Sequence, residues 1–158
     1  MGIVSGPRVV VGIDGSAGSR RALRWAAEEA RRRDATLLVV LAWEPAYLAT
    51  YSSASAHADH ADQERAAQLL LAETLRSVFG ADIPDHMLGK VSKGVAERIL
   101  VEESREADLL VLGSTSASER GSPAVGPVIR GCLHQACCPV MIIGPCKAAL
   151  PQPALTVI

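Results

Sequence analysis

Short unbroken aliphatic runs alternate along this chain with longer stretches in which apolar residues recur every three or four positions. The runs are RVVVGI (8–13), TLLVVLAW (36–43), LLVLG (109–113) and VMII (140–143). Their continuity, without polar alternation, predicts strands buried on both faces. Between them the spacing changes to a helical one. A helix is predicted from Ser16 to about Arg33, with Leu23, Ala26, Ala27 and Ala30 on one face and Glu28, Glu29 and several arginines on the other. A second is predicted from Asp62 to Phe79 on a stripe of Ala66, Leu69, Leu70 and Val78, and a third from about Val95 to Glu106 with Ile99 and Leu100 inward. A weaker strand, Ile83 to Val91, carries Pro84, Asp85, His86 and Lys90, which suit a sheet edge. The resulting order, βαβαβαβαβ, points to a doubly wound parallel sheet with helices on both faces.

The punctuation between elements carries the candidate chemistry. Asp14-Gly15-Ser16 ends the first strand, and Ser16 is suited to cap the helix that follows. Gly113 ends the fourth strand and opens a Ser/Gly-rich loop, which feeds a helix beginning at Gly126-Pro127. A glycine-bearing loop at a strand's carboxyl end, leading to a helix N-terminus, is how α/β proteins build phosphate sites. Residues 46–60 are too many for a tight connection and read as a lid or mobile loop. His57, Asp59, His60 and Asp62 gather there, but ligands on a Ser-rich loop without supporting partners make a poor metal site. If VMII lies at the sheet edge, its free backbone groups need a partner. That partner is a second subunit or the proline-containing tail from Pro145 to Ile158.

Composition narrows the class. The 158 residues suffice for one domain (1–158, with a core from about 8 to 145 and a tail from 146 to 158). A chain 49% hydrophobic but only 3% aromatic builds its core from Val, Leu, Ile and Ala, as layered helix and sheet packing requires. A formal net charge of −1 gives no electrostatic case for nucleic acid or an anionic membrane. Arg31, Arg32 and Arg33 read as a solvated, dipole-complementing helix end. The longest apolar run is far short of the ~20 residues a membrane helix needs. The N-terminus shows neither secretory nor myristoylation features, so a cytoplasmic location is expected. Cys132, Cys137, Cys138 and Cys146 have no zinc-type spacing and are expected to be buried reduced thiols.

VVVGIDGS (9–16), TLLVVLAWEP (36–45), Lys93-Gly94, ADLLVLGS (107–114) and ACCPVMII (136–143) occur in an order that resembles the universal stress protein family. The resemblance implies a five-stranded Rossmann-like α/β sheet of order 3-2-1-4-5, homodimeric through the last strand. It implies ATP, with or without magnesium, at the carboxyl ends of strands one and four. Asp14 matches the acid near the adenosine, and Ala42 the position whose backbone meets the adenine. The family's phosphate motif is a glycine, two residues, a glycine, nine residues, then Gly-Ser. Here it reads Gly113, Ser116 and Gly126-Pro127, so the second glycine and the closing serine are replaced. Proline offers neither the hydroxyl nor the N–H that serine would present to phosphate. One charge-assisted hydrogen bond contributes about 1.5–3 kcal/mol, so its loss weakens triphosphate binding about tenfold or more. Ser114, Thr115, Ser118 and Ser122 supply hydroxyls, as can Ser116, and Arg120 or Arg130 could supply compensating charge; equally, a Ser/Thr-rich loop is simply a solvated one. Asp14 has two readings as well, as a ligand contact and as a turn cap.

The expected function is a stress-response signalling module binding an adenine nucleotide with altered phosphate contacts. A dimeric scaffold acting through an unknown protein partner is the alternative. A nucleotide hydrolase is the least supported, because the chain has no P-loop or nucleophile elbow, and Asp14 alone is too little for general-base catalysis.

Overall fold

The computed structural model describes residues 6–45, 60–114 and 125–145. In chain order its elements are β1 (Arg8–Ile13), α1 (Ala17–Arg32), β2 (Thr36–Trp43), α2 (His60–Phe79), β3 (Met87–Lys93), α3 (Ala96–Ser104), β4 (Leu109–Gly113), α4 (Pro127–Gln135) and β5 (Val140–Ile143). The strands form one sheet of order β3-β2-β1-β4-β5, and every pairing is parallel. The predicted fold class and strand order are therefore those observed.

The two-residue period of a strand divides each aliphatic run between two cores. Val9, Val11 and Ile13 face α1 and α2 together with Leu37, Val39, Leu41, Leu109 and Val111. Val10, Leu38, Val40, Leu110 and Leu112 face the opposite way, where Leu100, Ile129 and Cys132 cover them. Val9, Val10 and Val11 are wholly buried, and each contributes about 1.5–3 kcal/mol by leaving water. The last run differs, for β5 is an edge strand, half-buried, with Ile142 37% exposed.

Two boundaries and one helix face depart from the sequence reading. β3 begins at Met87, not Ile83: Pro84 has no N–H to give a ladder, and pairing starts where Leu37 N–H donates to the His86 carbonyl at 2.9 Å. α3 spans Ala96–Ser104, with Val95 outside it as an exposed N-cap residue. The inward stripe of α2 keeps the expected Leu70 and Val78 against the core but is turned at its other two positions. Ala67 and Thr74 are buried while Ala66 and Leu69 face solvent. Thr74 is accommodated because its hydroxyl donates to the Leu70 carbonyl at 2.7 Å.

The arginines closing α1 form the solvated end expected of them. Arg31 and Arg32 pair with Glu28, and Arg33 with Glu29. The cysteines need a correction. Cys132 is buried, and burial raises its thiol pKa to about 11, but Cys138 is half-buried and Cys137 exposed, placed in the turn before an edge strand. Cys146 lies outside the described residues, as do His57, Asp59 and all but the last residue of the segment 46–60 expected to form a lid or mobile loop; that last residue, His60, begins α2 instead.

Candidate functional site

The order 3-2-1-4-5 places β1 beside β4, and the chain leaves these neighbours in opposite directions along the sheet. A crevice opens at the carboxyl ends of such a pair. Here it is a cleft of about 190 Å³ between the strand ends and the start of α4. Asp14, Ala42, Gly113, Gly126 and Pro127, all proposed from the sequence, line it together. Residues without chemical character, missed by the sequence reading, build most of its remaining wall: Val40, Leu100, Leu112, Val128 and Ile129 among them. A second cleft of about 430 Å³, bounded by Leu41, Trp43 and Leu70, meets the first at Asp14 and Ala42.

Asp14 is held by the turn that follows it. Gly15 takes φ +84°, which an L side chain would resist, and so reverses the chain immediately after β1. The Ser16 N–H donates to Asp14 Oδ1 at 2.9 Å, and the Asp14 N–H donates to Ser19 Oγ at 3.3 Å. The Ser19 N–H donates in turn to Ser16 Oγ at 3.2 Å, capping α1. Desolvation pushes the Asp14 pKa upward, but hydrogen bonding with Ser16 and Ser19 outweighs it, and the net value is lowered. Asp14 is therefore an ionised carboxylate at neutral pH. Its turn-capping role is present, and with two oxygens it keeps acceptor capacity toward the cleft.

On the other side, Gly126 is the N-cap of α4 and Pro127 its first residue. No side chain caps this helix. Its first internal bond joins the Arg130 N–H to the Gly126 carbonyl at 3.0 Å. Pro127 has no N–H, so Gly126, Val128 and Ile129 carry the donors that a helix start leaves free. Gly113 and Gly126 prove to be glycine for different reasons. A Cβ on Gly113 would stand 2.1 Å from the Gly18 carbonyl oxygen of α1, whereas a Cβ on Gly126 would meet nothing within 4 Å.

Ser114 and Arg130 are not on the cleft wall. The Ser114 N–H donates to the Ile143 carbonyl at 3.0 Å, and its hydroxyl, 1% exposed as part of the residue, finds no partner among the described residues. Arg130 is exposed on α4. Ser116 and Arg120 lie outside the described residues. Among the described residues no group of three or more His, Cys, Asp or Glu is arranged to hold a metal ion, and Asp14 is the one carboxylate on the cleft. Among the described residues, magnesium arriving with a nucleotide would have that single carboxylate on this cleft to use.

A model of the universal stress protein family matches residues 7–144. A curated universal stress protein of Mycobacterium tuberculosis is 34% identical over 149 residues, covering 94% of this chain and 51% of that protein. The chain spans about half the length of the curated relatives it matches. Among solved structures, a universal stress protein in complex with cAMP aligns at 25% identity and TM-score 0.65, covering 88% of this chain and 97% of its own. A universal stress protein family protein from Arabidopsis thaliana with AMP bound shares the fold at 21% identity and TM-score 0.58, covering 94% and 99%.

Proposed function

Since the chain belongs to the universal stress protein family, we propose that it is a stress-response signalling module that binds an adenine nucleotide at the carboxyl ends of β1 and β4. The observation that carries this reading is the convergence on one cleft of an ionised Asp14, the end of β2 at Ala42, and the uncapped start of α4 at Gly126. A carboxylate suits ribose hydroxyls as an acceptor, an apolar wall suits a purine face, and free helix N–H groups suit phosphate. The cAMP-bound relative, aligned over nearly its whole length, supports the same ligand class. Binding rather than turnover is the role read here, because one carboxylate supplies neither a nucleophile–base pair nor a metal cluster.

The reading extends to the rest of the chain. Residues from about 8 to 145 act as one domain, cytoplasmic, with the tail from 146 outside that core. In line with this, no helix among the described residues is long and apolar enough to cross a membrane. Two copies pair through β5, a reading supported by an apolar edge strand of four residues with an exposed Ile142. A single species of monomer mass in sedimentation at micromolar concentration would remove that pairing.

Calorimetric titration with AMP, cAMP and ATP tests the ligand. Saturable binding of at least one, lost in Asp14→Ala while the fold is retained, is the expected result. No binding of any of them at millimolar concentration would leave a scaffold acting through a protein partner as the better description. ATP turnover above background, abolished in Asp14→Ala, would make the protein an enzyme and overturn the binding role.

A further inference from the structure

Gly131 stands in the middle of the nine-residue α4, where glycine costs stability relative to alanine. Its backbone is ordinary helix, outside the left-handed region, so no turn requires it. What it leaves room for is Glu97, in the first turn of α3: a Cβ on Gly131 would fall inside the Glu97 carboxylate. The same carboxylate accepts a hydrogen bond from Gln135 Nε2 at 2.9 Å, one turn further along α4. Glu97 therefore rests on bare α4 backbone and is tied to the helix just beyond. Its charge is felt at the neighbouring residue too. Burial is the first cause that pushes the Cys132 thiol up to about 11, and Glu97 is the second.

This contact adjoins the cleft on both sides. Ala96, next to Glu97, and Leu100, one turn on, form the α3 wall, while Val128 and Ile129, just before Gly131, form the α4 wall. Leu100, Ile129 and Cys132 belong to one buried cluster, so a change in helix spacing reaches both walls. Resting on the adenine-nucleotide reading above, we propose that Glu97 and Gly131 are positioning residues for this cleft. The glycine admits the carboxylate, the carboxylate fixes the spacing of α3 and α4, and that spacing sets the width offered to a purine. Both residues lie off the cleft wall and act through Ala96 and Ile129. Apolar packing on the sheet is non-directional, whereas a hydrogen bond holds one geometry, so the pair adds a register that burial alone does not supply. A second tie, from the Cys137 N–H to the Ser104 hydroxyl at 3.0 Å, joins the far end of α3 to the turn after α4. With that end held, loss of the Glu97 contact lets the helices part on the side of the cleft.

The test is calorimetric titration of AMP into the full chain and into Gly131→Ala, Glu97→Ala, their double variant and Glu97→Gln, each checked for fold by circular dichroism. Each alanine variant is expected to weaken AMP binding about fivefold. The double variant should be no weaker than either single one, because both substitutions break the same contact. Glu97→Gln keeps the length and an acceptor oxygen, so it should bind within about twofold of the parent. A purely structural role would lower the urea midpoint of Glu97→Ala and leave its AMP affinity unchanged; that result overturns the inference and leaves the adenine-nucleotide reading standing. Losses that add in the double variant overturn it as well. Should Gly131→Ala fail to fold, the contrast between Glu97→Ala and Glu97→Gln carries the test. A parent chain that binds none of AMP, cAMP and ATP removes the adenine-nucleotide reading itself, and this inference with it.

Discussion

Gly113 and Gly126 occupy matching places in one sequence motif, yet the structure treats them in opposite ways. At Gly113, β4 meets the first turn of α1 so closely that one added carbon would overlap the Gly18 backbone. At Gly126, the N-cap of α4 faces open space. The first glycine is demanded by the protein's own packing and would be required with no ligand at all. The second is required by nothing within the described residues, and a side chain there would project beside the cleft. A glycine motif is thus not a single kind of evidence: one half reports on the fold and the other on what the fold leaves accessible.

The sharpest way to break this contrast is Gly113→Ala. Backbone atoms of α1 cannot rotate away as a flexible side chain would, so the variant should lose about 3 kcal/mol or more, or fail to fold. Urea denaturation followed by circular dichroism measures it, and a near-neutral result would show that α1 can slide on β4. Ser114→Ala, one residue on, carries the reverse sign. The buried hydroxyl has no partner among the described residues, so removing it should raise stability by about 1 kcal/mol. A loss of similar size would reveal a hydrogen bond to this hydroxyl.

At the mouth the effects should be smaller in stability and larger in binding. Asp14 has a lowered pKa, so its contribution is fully present above the unfolded-state value of about 4. That contribution should fade as pH falls through the lowered folded value. The stability gap between the parent chain and Asp14→Asn should therefore shrink between pH 5 and strongly acidic conditions. A gap that widens on acidification would reverse the assigned sign. Gly126→Ala should change stability least, by about 0.5 kcal/mol, since an N-cap glycine at ordinary φ has little to lose. If it destabilises the protein as strongly as Gly113→Ala, the contrast between the two glycines is gone.

Much of the fold was legible because its signals are local. VVV in β1 and TLLVV in β2 cannot be amphipathic, and an element buried on both faces with helices between neighbours belongs to a parallel sheet. The phase of α2 was not legible, because Leu69-Leu70-Leu71 allows an apolar stripe along more than one line, and only contact with β2 and β3 selects it. The start of β3 was misplaced because Ile83 resembles strand sequence while Pro84 prevents it from joining the ladder.

At the site, Asp14, Gly113, Gly126 and Pro127, a carboxylate and three residues of unusual side-chain chemistry, and Ala42, placed by the resemblance, are legible in the sequence. The aliphatic wall is not, because Leu100 of α3 and Leu112 of β4 look like any other core residue until the fold brings them to the strand ends. No pattern along the chain marks them as cleft residues.

Pro127 has one more consequence, and it concerns the empty protein. A pyrrolidine ring already near helical φ leaves the unfolded chain fewer conformations to surrender, so α4 starts in place without help from a capping side chain or an occupant. Amide exchange at Arg130, whose N–H closes the first turn on Gly126, should then be equally slow before and after ligand addition. On the proposed reading, the start of α4 is set during folding, and a nucleotide would have no ordering cost to meet at that turn.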